Sequence, residues 1–499
     1  MITKEDKELL KEKGLSENNI YKQIELFKKG TPHIDITRPA TLNDGIMPIE
    51  SPDKWIRKYD EFVKTQPQIL KFVPASGAAT RMFKAFFAYV KSNEKSLSKF
   101  PEIQTFCDNI EKFAFFDKLN ATSLKHFGKN VKNLLKEGKT KQVINILINT
   151  TGLNYGHTPK GLIDFHKYPE NEARTAFVEH LYEGAKHIAV NNNAYYHFTI
   201  SPAFEKDFKK QADEHKITDE IKNNISFSFQ SPATDTIAVD DNYNPVRTPN
   251  GQLLFRPGGH GSLIHNLAEQ EADLIFIKNI DNIAHADYIE DTIKYKKILG
   301  GIAIEIKTQI TDYINQLKAS TEVLPKVKTF LQKNYLLDIL PEFNNITEEQ
   351  KFYLEFLNRP IRIAGMVKNE GEPGGGPFWV KHKSGQFSTL QIVEKSQIDL
   401  TDTKQKEILE KSTHFNPVDM VVIFDKNTHN LLDYIDNNTY FISEKSYEGK
   451  TIKALEWPGL WNGAMSDWLT IFVEIPLETF NPVKIVTDLL RKYHQPKGE

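Results

Sequence analysis

Apolar residues in this chain follow two rhythms, and their alternation predicts the elements. Near residue 68 a continuous apolar run, Ile69-Leu70-Lys71-Phe72-Val73-Pro74, ends in a loop of small residues at 75–79. A helically spaced stretch follows, Thr80-Arg-Met-Phe-Lys-Ala-Phe-Phe-Ala-Tyr-Val. Strand, tight loop and helix in that order open an α/β fold. From about 101 to 148 the apolar spacing is that of helices, with many lysines between. Strand patterns return at 194–201 (AYYHFTIS), 225–230 (ISFSFQ) and 272–280 (ADLIFIKNI). Helical stretches separate the first two and precede the third, which predicts a mixed, mostly parallel, doubly wound α/β sheet.

After Asp287 a long helical region runs to about 337. Further strands are predicted at 361–368, 378–382, 389–394 and 420–424, some paired as hairpins, with a last strand at 469–475 and a helix from Pro482. The chain before about residue 60 combines a charged helical start, 4–13, with a proline-punctuated stretch, 32–52. The expected organisation is an N-terminal arm over 1–66, one large α/β domain over 67–490 and a tail over 491–499. Helical insertions interrupt the domain at about 100–150 and 288–358. No repeat and no low-complexity linker is visible.

Composition narrows the function classes. The 499 residues are 39% hydrophobic and 26% charged, which excludes wholesale disorder. Lys+Arg 64 against Asp+Glu 66 leaves a net charge of −2, so bulk charge points to neither nucleic acid nor anionic lipid. The single cysteine, Cys107, excludes an intrachain disulfide and a cysteine-based zinc site. The N-terminus, MITKEDKELLKEKG, lacks the apolar stretch of a secretory signal, and no apolar run is long enough to cross a bilayer. The expectation is a cytoplasmic protein that engages no membrane; nothing in the sequence names a protein partner.

Six motifs carry candidate chemistry. In Pro74-Ala-Ser-Gly-Ala-Ala-Thr-Arg-Met82 the small residues Ala75, Ser76, Gly77, Ala78 and Ala79 permit backbone amides to approach a polyphosphate at a helix start. Thr80 is placed to cap that helix or touch a phosphate, and Arg81 to neutralise one. A tight strand–helix turn with a surface arginine is the alternative. Lys160, in Thr158-Pro-Lys-Gly161, is either a compact charge aimed at phosphate or an exposed turn lysine. Arg256-Pro-Gly258-Gly259-His260-Gly261 reads as close backbone approach to a flat or anionic ligand, or as a glycine-rich hairpin end; Gln230 lies upstream of it.

Asp281, in Asn279-Ile-Asp-Asn282, stands at the carboxyl end of an apolar strand. That is where open α/β sheets bind ligands and where Mg²⁺ takes one or two protein carboxylates; an Asx-turn or helix cap is the alternative. Glu370 and Glu372, in the glycine-rich stretch 367–379, suit sugar hydroxyls, or the stretch is an Ω-loop without ligand. Lys484, near a helix start in Phe480-Asn-Pro-Val-Lys484, sits unfavourably against the dipole, as a lysine facing an anion would.

Taken in order from about residue 68 to 490, these motifs resemble those of the GT-A-type sugar nucleotidyltransferases, specifically the UDP-sugar pyrophosphorylases. The whole chain also resembles an uncharacterised bacterial family of the same fold, found mainly in Bacteroidetes. PASGAATRM is similar to a G-G-x-G-T-R-M nucleotide loop, FSFQ to a strand whose glutamine contacts uracil, and RPGGHG to a uridine-contacting P-P-G-H-G loop. NIDN resembles an N-x-D-N strand end, VKNEGEPGG with QIVEKSQID a sugar-side loop and strand, and FVEIPLETFNPVK a late segment ending in a phosphate lysine. The chain departs from the pattern at Ala75, Ser76 and Ala79, which replace glycines, and at Lys160, which lies far downstream across the helical stretch.

The resemblance implies a Mg²⁺-dependent enzyme joining a sugar-1-phosphate to UTP with release of pyrophosphate. It assigns Arg81, Lys160 and Lys484 to the phosphates. Residues 75–80, Gln230 and 258–261 fall to the nucleotide, Asn282, Glu370, Gly371 and Glu394 to the sugar, and Asp281 to the metal. A catalytically silent nucleotide-sugar-binding protein and a glycosyltransferase using a nucleotide-sugar donor are the alternatives on the same fold.

Overall fold

The computed structural model describes residues 2–94, 96–215, 220–371 and 374–498, so Glu372 lies outside the described residues. The chain divides into two interleaved compact units, one of Met1–Thr65, Gln230–Phe276 and Ile298–Pro476, the other of Gln66–Phe229, Ile277–Lys297 and Leu477–Glu499. The chain passes from one unit to the other within the strand Leu274–Lys278 and again within the long helix Ile289–Ala319.

In the unit that begins at Gln66, the strand Ile69–Pro74 pairs in parallel with Asn193–Thr199, which pairs in parallel with Lys222–Ser228. Ile69–Pro74 is an almost wholly buried run, as a parallel strand covered on both faces must be. Pro74, which has no N–H for a ladder, ends it at the loop. The helix Ala176–Ile188 is buried over most of its circumference and is capped by the Thr175 hydroxyl, which accepts the Val178 N–H at 3.3 Å. Helices Pro101–Asp108, Phe116–Phe127, Val131–Lys136 and Thr140–Ile148 occupy the predicted helical stretch. Phe83, Phe86, Phe106, Phe113 and Phe115 pack ring against ring at centroid distances of 5.0–5.5 Å.

The other unit carries a mixed sheet. Ile361–Lys368 pairs in parallel with Leu469–Glu474 and antiparallel with Asp419–Ile423, and Leu469–Glu474 pairs in parallel with Gly45–Met47. A three-stranded antiparallel sheet joins Ile36–Pro39, Gly375–Lys381 and Ser388–Glu394. A four-stranded antiparallel sheet joins Phe255–Arg256, Thr236–Val239, Lys450–Glu456 and Phe441–Tyr447. Helices Lys4–Glu12 and Glu17–Lys29, each opened by a capping box, bury Leu10, Ile20 and Phe27 against Ile237, Val239 and Leu455 of that sheet. The fold is thus mixed α/β with mostly parallel strands at the heart of each unit.

Two local expectations are corrected. The segment after Pro482 is not an α-helix: it forms short 3-10 turns, Val486–Leu490 and Lys492–His494. Asp488 Oδ2 accepts the amides of Lys484 and Ile485 at 2.7 and 2.9 Å at the start of the first turn, and the Val483 amide donates to the Asp281 carbonyl at 2.9 Å, which ties the segment to the strand end. Thr80 caps no helix; its hydroxyl donates to the Gly156 carbonyl at 3.3 Å. No helix among the described residues is long and apolar enough to cross a membrane.

Candidate functional site

Four motifs far apart in sequence meet within the unit that begins at Gln66. The small-residue loop forms an antiparallel bridge with the Thr158–Lys160 segment: the Ala79 amide donates to the Thr158 carbonyl at 3.0 Å and the Lys160 amide to the Gly77 carbonyl at 3.2 Å. This bridge brings Lys160 beside the loop despite the intervening helices. The Lys160 ammonium donates to Asp281 Oδ2 at 2.8 Å and to the Val483 carbonyl at 2.7 Å. Lys484 donates to the same Asp281 oxygen at 3.1 Å. A bridge between Asn282 and Pro482 carries the last motif there, and Asn282 Oδ1 accepts the Asn481 amide at 2.8 Å.

Asp281 is buried, which by itself raises a carboxyl pKa, but the Lys160 and Lys484 ammoniums outweigh burial and hold it below the ordinary aspartate value. The carboxylate is therefore ionised, with Oδ2 compensated by two ammoniums. Among the described residues Oδ1 accepts no protein hydrogen bond. No group of three histidine, cysteine, aspartate or glutamate side chains placed to hold a metal exists among those residues. The one protein donor this cluster offers a cation among the described residues is the Asp281 carboxylate, through Oδ1.

The loop itself is only partly available. The Ala75 amide donates to Thr199 and the Ala79 amide to Thr158, so these two do not face a ligand; the amides of Ser76, Gly77 and Ala78 remain. A Cβ built on Gly77 meets nothing within 4 Å, so neither packing nor a positive φ demands glycine there. What the glycine leaves is clear space in front of the loop. Arg81 is exposed directly after it.

The other unit holds Gln230, the 258–261 loop, Glu370, Gly371 and Glu394. Here the glycines have an internal reason. A Cβ at Gly258 would lie 2.4 Å from the Thr234 carbonyl and the Trp457 ring, and one at Gly261 would lie 2.1 Å from the Pro458 carbonyl. Gly259 has φ +80°. The expected close approach of backbone is real, but its partner is the protein's own segment 457–463 (WPGLWNG), which pattern reading missed. Its two tryptophans flanking Pro-Gly were the available signal.

His260 stacks on Trp461 with ring centroids 4.2 Å apart, and its Nδ1 accepts the Leu460 amide at 3.1 Å, which places the ring proton on Nε2. Burial pushes its pKa down to about 4 against the opposing Glu456 charge, so the ring is a neutral N–H donor. Gln230 Nε2 lies 3.3 Å from Thr234 Oγ1. Glu394 has its pKa raised by burial, opposed by the Asn462 side-chain amide 3.5 Å away. Glu370 is exposed, and Gly371, at φ +113°, donates its amide to Asn369 Oδ1 at 2.9 Å.

Two sets of residues with different chemistry therefore emerge: a cationic loop-and-lysine cluster around one carboxylate, and a stacked, mostly neutral set around His260 and Glu394. The chain belongs to the family described as "Domain of unknown function (DUF4301)", whose model matches residues 3–495.

Among solved structures, the chain is similar to the uridine diphosphate N-acetylglucosamine pyrophosphorylase from Trypanosoma brucei in complex with inhibitor (12% identity, 95% of this chain and 74% of that one, TM-score 0.48). It is similar to the UDP-glucose phosphorylase from Trypanosoma brucei at 13% identity, over 97% of this chain and 77% of that one, with a TM-score of 0.48. It is also similar to a variant of the UDP-glucose pyrophosphorylase from Leishmania major in complex with UDP-glucose at 12% identity, over 95% and 74%, with a TM-score of 0.42. No curated protein sequence matches the chain significantly.

Proposed function

We propose that this protein is a magnesium-dependent nucleotidyltransferase that joins a sugar-1-phosphate to UTP and releases pyrophosphate. The observation that carries the reading is the meeting of Lys160 and Lys484 on Asp281, with Lys160 bridged to the 76–78 loop, whose amides donate to no backbone carbonyl among the described residues. Such a reaction needs charge neutralisation and alignment more than a protein nucleophile. The sugar-phosphate oxygen forms a bond to the α-phosphorus of UTP as the bond to the bridging α–β oxygen breaks, and pyrophosphate leaves with that electron pair. Amides of Ser76–Ala78 and the Arg81 guanidinium would hold the β and γ phosphates. Lys160 and Lys484 would turn from Asp281 toward the reacting phosphate oxygens. Asp281 Oδ1 would hold Mg²⁺, which when bound supplies charge neutralisation at phosphate. The resemblance gives the base to Gln230 and His260 and the sugar to Glu370, Gly371 and Glu394, all of which belong to the other unit.

Binding without turnover is supported by a different detail, the commitment of the Ala75 and Ala79 amides inside the protein. One assay separates the readings. UTP, Mg²⁺ and a panel of sugar-1-phosphates are followed for pyrophosphate, and UDP-sugars with acceptors for UDP. Pyrophosphate release that disappears in Arg81→Ala and Asp281→Ala supports the proposal; UDP release identifies a glycosyltransferase, and nucleotide-sugar binding with neither product a silent binding protein.

A further inference from the structure

Beneath the cationic cluster lies a buried ionic network that the proposed chemistry does not use. Glu183, on the helix Ala176–Ile188, is fully buried and accepts from two lysines at once: Lys71 on Oε1 at 2.9 Å and Lys278 on Oε2 at 2.7 Å. Lys71 also donates to the His180 carbonyl at 2.8 Å. Each lysine lies on a strand that leads toward the cationic cluster. Lys71 lies on the strand that leads into the 75–79 loop, and Lys278 ends the strand that leads into Asp281. One helical turn before Glu183, on the same helix face, His180 Nε2 lies 3.1 Å from the Ile280 carbonyl, the peptide directly preceding Asp281. A carbonyl only accepts, so His180 carries its proton on Nε2, and among the described residues its buried Nδ1 has no partner.

Burying three charges costs more than burying three apolar side chains of similar volume, so the network is a poor way to gain stability. What it specifies is geometry, because a carboxylate with both oxygens occupied fixes both strands against one helix. Burial lowers the Lys71 pKa to about 8 against the favourable Glu183 charge. Glu183 stays ionised well below the ordinary glutamate value, since Lys278 and Lys71 outweigh its burial.

We propose that Glu183 and His180 are positioning residues of the anion site, holding the 75–79 loop and Asp281 at a fixed separation from a single helix face. The inference rests on the nucleotidyltransferase reading for its purpose, though not for its geometry, and two independent measurements keep them apart. The first is amide hydrogen exchange of the full chain, followed at 75–82, 279–284 and, as reference, 193–199. The second is calorimetric binding of UTP with Mg²⁺.

His180→Leu cannot donate to Ile280, whereas His180→Gln can. Exchange about 10-fold faster or more at 279–284 in His180→Leu, with 193–199 unchanged and recovery in His180→Gln, is the expected result. In Glu183→Gln both 75–82 and 279–284 are expected to loosen, and UTP binding to weaken about 10-fold or more. Unchanged exchange in His180→Leu, or acceleration spread evenly over all three segments, overturns the proposal. If Glu183→Gln does not fold, the leucine and glutamine pair at His180 still decides. If the His180 variants show the exchange pattern but the wild-type chain binds no UTP, the positioning role stands and the nucleotidyltransferase reading falls.

Discussion

Lys160 and Lys484, separated by most of the chain, donate to one oxygen of Asp281 at 2.8 and 3.1 Å. Neither lysine has the geometry of a bidentate clamp; both are point charges on flexible stems that a phosphate can recruit from the carboxylate. Asp281→Ala is expected to lower pyrophosphate release by roughly 10²–10³-fold, as loss of one charge contact at a reacting phosphate does. Lys484→Ala should act in the same direction. A steady-state pyrophosphate assay on each variant checks this.

Gly77 separates a ligand role from a structural one. A side chain there meets no protein atom within 4 Å, so Gly77→Ala is expected to change folding stability by no more than about 0.5 kcal/mol. If the loop amides grip UTP as proposed, UTP affinity should nevertheless fall, because the methyl group adds bulk to the loop itself. Denaturant unfolding and calorimetry, run on the same preparation, give the two numbers.

Gly261 should behave in the opposite way. Its Cβ would lie 2.1 Å from the backbone carbonyl of Pro458, which cannot swing aside as a side chain does. Gly261→Ala is expected to destabilise the protein by about 1–3 kcal/mol, as overpacking does, and the loss should show in the denaturation midpoint before any ligand is added.

Stability should fall in mild acid. His166, His180 and His494 are buried, and burial holds their pKa values well below the ordinary histidine value. The unfolded chain therefore binds more protons below about pH 6.5, so their contribution is complete above that pH and is lost as the pH drops. Glu179 acts against this trend. Burial raises its carboxyl to about 7, so between the ordinary glutamate value and neutrality the folded state binds the extra proton. His166 bridges Glu179 and His494 at 2.9 Å on each side. His494→Gln removes one titrating ring and should flatten the fall in melting temperature between pH 7 and pH 5, measured by calorimetric scans.

Much of the core of the unit that begins at Gln66 was legible because its signals are local. Ile69–Pro74 is apolar apart from Lys71, its loop is small, and the strands near 194 and 274 carry the branched and aromatic residues of buried strands, while the half-exposed strand near 225 ends the sheet. The pairing of Lys160 and Lys484 on Asp281 was visible only as an ordered series of motifs, since no spacing rule connects them. The 457–463 segment, the hairpin Phe441–Tyr447 with Lys450–Glu456, and the docking of the first two helices depend on tertiary packing and escaped local reading. The Glu183 network had a signal that went unused. Lys71 interrupts one otherwise apolar strand and Lys278 ends another, and a buried lysine in such a place requires a buried acceptor somewhere else.

The dependence of the cationic cluster on residues 481–484 also orders its assembly in time. During synthesis the ribosome delivers the 75–79 loop, Lys160 and Asp281 long before Asn481, Val483 and Lys484 emerge, and chains fold progressively from the N-terminal side. A nascent chain halted near residue 470 would own the carboxylate and a single ammonium, but not the Val483 amide that caps the Asp281 carbonyl. The cluster around Asp281 is therefore complete only once residues 481–484 have joined the segments made before them.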